Sequence, residues 1–338
     1  MRDRAGSNKV YFFGDGQLLA EATDDVGDCS NTRPFQIARH GGGTHIPEAV
    51  DDVAVWDQSL TPYAIDMVQK GYKTITTADT ATNTIMDANP VAYYRLEERS
   101  GLGSSLVADF SGKGHTATVN GGITQGLGPR HLAYDTSDRY MSLDGSSGYI
   151  RANASLTPAE FGGGGSYSIE LWFNADRRHQ AALVSLVDAG ASDQHGVLIE
   201  LEADGRVRYL HRFPTGSGGG NNIYTAAPDL YNVGEWYHLV AVKDGTLDLM
   251  SLYLNGLLVG TQTDTTNVSA NLNLFMSRLS IGQSARYLDG LLDEVAFYNY
   301  AFTSAQARAH YYAAFPEPGT LSLLALGGLG LLRRRRRA

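Results

Sequence analysis

One stretch of this chain occurs twice, and a repeat restricts the folds open to a sequence more than any local propensity does. Asp51-Asp52-Val53-Ala54-Val55-Trp56-Asp57-Gln58-Ser59-Leu60-Thr61-Pro62 aligns without a gap on Asp293-Glu294-Val295-Ala296-Phe297-Tyr298-Asn299-Tyr300-Ala301-Phe302-Thr303-Ser304. Each copy reads as an acidic pair, an apolar and aromatic strand, and a Thr placed to cap a short helix. Pro62 follows the first cap at the favoured first helical position. The second copy continues as Thr303-Ser304-Ala305-Gln306, a capping box. Two further matches extend the repeat. The strand Lys9–Phe13 with its Asp15-Gly16 hairpin turn answers Tyr253-Leu254-Asn255-Gly256-Leu257-Leu258, and Phe35-Gln36-Ile37-Ala38 answers Leu279-Ser280-Ile281-Gly282. All three fall in the last part of the second copy. Residues 1–72 are therefore expected to be the C-terminal part of a domain, from a truncated reading frame or lacking an upstream segment. Half a sandwich leaves one core face wet, which is costly. Residues 1–16 show no basic and apolar secretory leader.

Residues 73–89, rich in Thr and Ala without apolar periodicity, read as a linker. From Pro90 to residue 313 the second copy reads as complete. Strand candidates are Val91–Leu96, Thr116–Asn120, Tyr149–Arg151, Tyr167–Asn174, Ala182–Val187, Val197–Ala203 and Val207–His211. Further ones are Tyr237–Lys243, Leu249–Leu254, Leu257–Gln262, Leu279–Gly282 and Leu291–Tyr298. Short strands punctuated by turns, in a chain with 39 Gly and 19 Tyr, predict an all-β antiparallel sandwich or jelly roll with short C-terminal helices. Alternation is clear in one strand: Ile169, Leu171 and Phe173 share a face, and Glu170, Trp172 and Asn174 share the other.

Gly234-Glu235-Trp236-Tyr237-His238-Leu239-Val240-Ala241-Val242-Lys243-Asp244-Gly245, with Leu252–Gly256, Ser280–Gly282 and Gly290–Val295, resembles a laminin-G-like, concanavalin A-like jelly-roll domain. Val91–Glu98 and Asp109-Phe110-Ser111-Gly112-Lys113-Gly114-His115 fit the same family. The resemblance covers about residues 88 to 313, plus the partial copy at 9 to 70. It implies two curved antiparallel sheets and a binding or adhesive role.

The chain ends in Pro316, Glu317 and Pro318, an apolar run to Leu332, and Arg333, Arg334, Arg335, Arg336 and Arg337. This order is similar to the PEP-CTERM sorting signal. Gly319–Leu332 as a helix would reach about 21 Å, short of the roughly 30 Å hydrocarbon core. The Arg run belongs on the cytoplasmic side, with the rest outside. The resemblance implies an exosortase-type processing protease, transient inner-membrane contact, and a surface or matrix location on a Gram-negative-type bacterium. Such proteins also carry an N-terminal export signal, and its lack here agrees with a missing upstream piece.

Five of the 27 Lys and Arg sit in that terminal run; without them the body balances at −14 against 36 Asp and Glu. An acidic body argues against nucleic acid as a partner. The single cysteine, Cys29, excludes an intrachain disulfide and cysteine-based metal clusters.

Hydrolases on related sandwiches need two carboxylates across the scissile bond. The nearest candidate, Glu200-Leu201-Glu202-Ala203-Asp204, is equally a solvated strand face and does not match the Glu-x-Asp-x-x-Glu pattern of laminarinase-like enzymes; Glu170, Glu200 and Glu202 would have to meet. No HExxH, Gly-x-Ser-x-Gly or phosphate loop occurs. Calcium, a hard cation wanting oxygen ligands, has Asp109 and Asp293 as candidate ligands, the alternatives being an Asx turn and a backbone-bonded carboxylate. A sugar platform would combine Glu170, Trp172 and Asn174, with Tyr209, His211 and Tyr224 lining a nearby loop. Core packing is the other reading of Trp172, and Trp236 and His238 read as inward and structural. The sequence expectation is a non-enzymatic binding module for polysaccharide or a surface protein. Its alternatives are a divergent glycoside hydrolase or lyase and an adhesive spacer.

Overall fold

The computed structural model describes residues 2–3, 8–14, 17–24, 65, 85, 88–98, 105–128, 138–216, 219–225, 231–283 and 285–314. The 51–62 copy, Phe35–Ala38, most of the linker and the sorting segment lie outside these residues.

An N-terminal sheet holds β1 (Arg2–Asp3), β2 (Lys9–Gly14) and β3 (Gln17–Thr23). Then come β4 (Ala92–Tyr94), β5 (Leu106–Val107), β6 (Ala117–Asn120), β7 (Ile123–Leu127), β8 (Tyr140–Asp144) and β9 (Tyr149–Ala152). The middle of the chain forms β10 (Tyr167–Ala175), β11 (Ala181–Asp188), β12 (His195–Leu201), β13 (Val207–His211) and β14 (Asn221–Tyr224). The last strands are β15 (Tyr237–Asp244), β16 (Leu249–Leu254), β17 (Leu257–Thr263), β18 (Leu272–Met276) and β19 (Asp289–Tyr298), followed by helix α1 (Ser304–Ala313). The first sheet runs β17-β16-β15-β10-β19-β8-β7, with β4 also paired to β19, and the second runs β14-β13-β12-β11-β18-β9-β6-β5. Ladders are antiparallel throughout, and strands far apart in sequence, β10 and β19 or β11 and β18, lie side by side. This is the expected jelly-roll sandwich.

The two sheets meet through the apolar faces that alternation marked. Ile169, Leu171, Phe173 and Leu239 from the first sheet pack in one buried cluster with Leu183, Leu186, Ile199, Leu201 and Leu274 from the second. Each such fully buried side chain contributes about 1.5–3 kcal/mol. The opposite face of the first sheet is also covered. Tyr93, Val240, Val242, Tyr253, Ala296 and Tyr298 pack with Tyr11 and Leu18 of the N-terminal hairpin and with Phe302 and Ala307 at α1.

Helix α1 begins as its sequence requires. Thr303 Oγ1 accepts the Gln306 amide at 3.2 Å, and the Gln306 side chain accepts the Thr303 amide at 2.9 Å. The turn joining β16 to β17 is Asn255-Gly256, with φ of 50° and 73°, the left-handed pair of a type I′ hairpin. The β2–β3 hairpin has the same strand pairing. In both, two residues close the turn (Gly14 pairs Gln17; Leu254 pairs Leu257), and the register slips at the same place, between Phe12 and Phe13 and between Leu252 and Tyr253.

One expected strand is corrected. Leu279–Gly282 is not a strand; the ladder beside β11 is made by β18. The later segment crosses the outer face of the second sheet, with Leu279 buried against Ala182, Leu198 and Leu210 and its carbonyl accepting Ser185 Oγ at 2.6 Å.

Candidate functional site

The face of β10 that was read as a sugar platform is closed. Glu170 and Trp172 are 1% and 2% exposed, and Asn174 is 6% exposed. Helix α1 sits over Glu170 and Trp172. His310 Nδ1 lies 3.1 and 3.0 Å from the two Glu170 oxygens, His238 Nε2 lies 3.2 Å away, and the Tyr298 hydroxyl donates to the same carboxylate. Burial alone would raise the Glu170 pKa; the charge of His310 and the hydrogen bonds from both imidazoles overcome it and hold the carboxyl well below its ordinary 4.5. Burial would lower His310, but the Glu170 charge and hydrogen bond raise it above 6.5. Trp172 packs at 5.0 Å from the His238 ring and stacks at 6.0 Å on Tyr311. His238 is thus structural, as expected, but lies beneath α1 rather than between the sheets.

The repeated acidic pair sits at a β-bulge. Trp172 pairs Asp293 and Glu170 pairs Ala296, so two residues of β19 oppose one of β10, and Glu294 takes φ 51°. Both carboxylates are fully buried. Glu294 accepts the Tyr93 hydroxyl and lies 3.5 Å from Arg95 Nε, while Arg95 also binds Glu97. Carboxylate oxygens of Glu97, Asp138 and Glu294 lie within 4.8 Å of one another, a donor set suited to a hard cation. Asp109, by contrast, spends its oxygens internally. Oδ1 accepts the Tyr93 and Ser111 amides, both at 3.0 Å, and Ser111 Oγ at 2.6 Å; Oδ2 accepts the His115 amide at 2.8 Å. That is the turn-forming alternative, and it leaves Glu294, not Asp109, as the carboxylate placed with other acids.

Tyr209 and His211 face the interior. Tyr209 donates to the Tyr167 hydroxyl at 2.8 Å, Tyr167 donates to His211 Nδ1 at 2.8 Å, and His211 Nε2 donates to the Thr266 carbonyl at 3.1 Å. Every ring atom that can bond does so, consistent with a neutral imidazole. Burial drives the His211 pKa down to about 4 against the nearby Asp264 charge. These two residues close a core network and do not line a loop.

Tyr224 behaves differently; it is 42% exposed. It ends a row across the outer face of the second sheet, where Glu200 pairs Arg208 and Arg208 pairs Tyr224. Glu200 is fully buried and binds two guanidinium groups, Arg208 Nη1 and Arg286 Nη1, each at 2.6 Å. Arg208 Nε also donates to Asn222 Oδ1 at 2.8 Å. The guanidinium carbons of Arg206 and Arg208 lie over the Tyr224 ring at 5.0 and 5.5 Å. Burial, then the charges of Arg212, Arg286 and Arg208, lower the His195 pKa to about 4. Arg286 arrives from the Leu279 crossover, a pairing over 86 positions that no local motif announces.

Glu170 and Glu200 sit on the outer faces of different sheets. Their strand neighbours Leu171 and Ile199 meet in the core between them. Glu170 is therefore held apart from Glu200 by the thickness of the sandwich, while Glu202 stays beside Glu200, its carboxyl pushed up by burial and by the Glu200 charge.

Two stacked antiparallel sheets in this order define a concanavalin A-like jelly-roll protein. Residues 144–308 match the family model described as the concanavalin A-like lectin/glucanases superfamily, and residues 316–337 match the PEP-CTERM protein-sorting motif. Residues 144–308 thus form a laminin-G-like, concanavalin A-like domain, and the chain carries a C-terminal PEP-CTERM signal. That motif implies export, membrane-associated sorting and exosortase processing. No curated protein matches the chain. Among solved structures, it is similar to the binding domain of Paraclostridial Mosquitocidal Protein 1, with TM-score 0.51 and 16% identity over 68% of this chain and 53% of that one. It is also similar to domain 4 of a GH43 extracellular arabinanase from Geobacillus stearothermophilus, solved with arabinotriose, with TM-score 0.45 and 20% identity over 66% of this chain and 98% of that one. A botulinum neurotoxin serotype D/C binding domain gives TM-score 0.49 and 11% identity over 68% and 52%. The chain spans about half the length of the toxin domains it matches, and at these identities the likeness is one of fold.

Proposed function

We propose that this protein is an exported, non-enzymatic binding module that holds polysaccharide on the outer face of its second sheet. A PEP-CTERM signal delivers it through the inner membrane of a Gram-negative-type envelope, where an exosortase-type protease processes it for the surface or matrix. The observation that carries the reading is the Glu200–Arg208–Tyr224 row with Arg286, a partly exposed aromatic and polar surface built on rigid strands. The closed Glu170 face supports placing the ligand here. The separation of Glu170 from Glu200 supports binding over a hydrolysis that would use this pair, because glycosidic cleavage needs carboxyls about 5–10 Å apart across one bond. Calcium, where bound, would be held by Glu97, Asp138 and Glu294 as a structural ion.

The test is retention of the full chain on insoluble polysaccharides, with calcium and with chelator. Wild type is retained in both conditions and Tyr224→Ala is not, since loss of the ring frees Arg206 and Arg208 from their common support. Release of reducing sugar during the incubation would replace this reading with the hydrolase one; retention of neither protein would favour the adhesive spacer.

A further inference from the structure

Resting on the reading that this face binds polysaccharide, we infer that its ligand is an anionic polysaccharide, a chain bearing carboxylate or sulfate groups, recognised by Arg206, Arg208 and Arg286 around Tyr224. Neutral sugars bind proteins largely by laying C–H faces on an open aromatic ring. The Tyr224 ring is already occupied, with two guanidinium carbons over it at 5.0 and 5.5 Å. What the face offers outward is guanidinium N–H groups.

Those groups are pinned. Buried Glu200 takes one nitrogen of Arg208 and one of Arg286, both at 2.6 Å, and Asn222 takes Arg208 Nε. A guanidinium has five N–H donors, so fixing one or two leaves a preorganised fork for an oxyanion. Side-chain exposures of 14% for Arg208, 26% for Arg286 and 37% for Arg206 keep the forks within reach of solvent. Three acids share this face: Glu200 is enclosed between Arg208 and Arg286, Asp204 is engaged by Arg206 at 2.7 Å, and Glu202 stands beside Glu200; with Arg212, four arginines face these three acids and leave one positive charge in excess. A body charge of −14 without the terminal Arg run sets this surplus against an acidic chain. It also disfavours duplex nucleic acid, whose continuous phosphate charge would meet repulsion elsewhere.

The experiment is affinity electrophoresis of the full chain in gels containing polygalacturonate, dextran sulfate, neutral dextran or duplex DNA, over a salt series. Retardation by polygalacturonate or dextran sulfate, weakened by salt, with none by dextran, is expected; which polymer retards more identifies carboxylate or sulfate as the oxyanion. Arg206→Gln should weaken retardation about tenfold, the scale of one charge-assisted contact, and Arg206→Gln/Arg286→Gln at least tenfold further. Arg206 pairs with an exposed acid, so its variant keeps the fold even if the double variant does not. Equal retardation by neutral dextran overturns the anionic assignment while leaving polysaccharide binding in place. Retardation by no glycan overturns both, and preferential retardation by DNA overturns the glycan in favour of a phosphate polymer.

Discussion

Removing the His310 side chain should loosen the C-terminal helix and destabilise the fold. His310→Ala strips the nearest imidazole from Glu170, a carboxylate 1% exposed. Breaking a buried ion pair from one side costs about 3–5 kcal/mol. Tyr298 and His238 still donate to Glu170, so the expected loss is near the lower end, about 3 kcal/mol. For a domain of this size that corresponds to a melting temperature lower by roughly 6–12 °C. The pH dependence has a definite sign. His310 has a folded pKa raised above 6.5, so its contribution is full below 6.5 and is lost as pH rises through the raised value. Glu170 has a folded pKa below 4.5, so its contribution is full above 4.5 and is lost as pH falls toward the lowered value. The gap between wild type and His310→Ala should be widest between pH 4.5 and 6.5 and narrow toward pH 9. Thermal and urea unfolding across pH, with Glu170→Gln and the double variant, measure it. A coupling energy below about 0.5 kcal/mol, or a gap that does not change with pH, would refute the ion-pair account.

Asp109→Ala leaves the Tyr93 and His115 amides, both in a buried setting, without their acceptor and should cost about 2–4 kcal/mol in urea unfolding; a loss under 1 kcal/mol would show that water replaces the carboxylate. Calcium titration should raise the melting temperature of the full chain, and Glu294→Gln should abolish the rise; no calcium effect would assign the three carboxylates to Arg95 and its neighbours alone. Gly256→Ala forces a side chain into φ 73° with its Cβ about 3.1 Å from the Arg308 backbone. It should cost at least about 1 kcal/mol and raise amide exchange in α1; unchanged exchange would mean the helix does not lean on this turn.

Much of the sandwich was legible because its signals are local. Ile169, Leu171 and Phe173 alternate with polar neighbours, Asn255-Gly256 demands a type I′ turn, and Thr303 with Gln306 writes a capping box. What was not legible is what covers each outer face. The alternation in β10 separates two faces but cannot say that α1, more than 130 positions later, descends on Glu170 and Trp172 and turns an apparent platform into a second interior. Tyr209 and His211 were misplaced for a related reason: aromatic and imidazole side chains suit either a sugar or a buried hydrogen-bond chain, and Tyr167 on another strand decides between them. Leu279–Gly282 has strand composition but is spent bridging the outer face. Short strands such as β5 and β14 carry too few residues to show a period. Of the proposed binding row, Tyr224 stood out in the sequence as a sugar-facing ring and Glu200 only as a candidate acid; Arg208 gains its meaning from cross-strand pairing, and Arg286 from the crossover.

The central claim is that ligand sits on the outer face of the second sheet, and hydrogen–deuterium exchange of the full chain with and without a retained polysaccharide tests it most directly. Protection is predicted in 200–212, 221–225 and 279–287, with α1 and β10 unchanged. Protection centred instead on 170–174 and 304–314 would contradict the account and return the site to the Glu170 and Trp172 face.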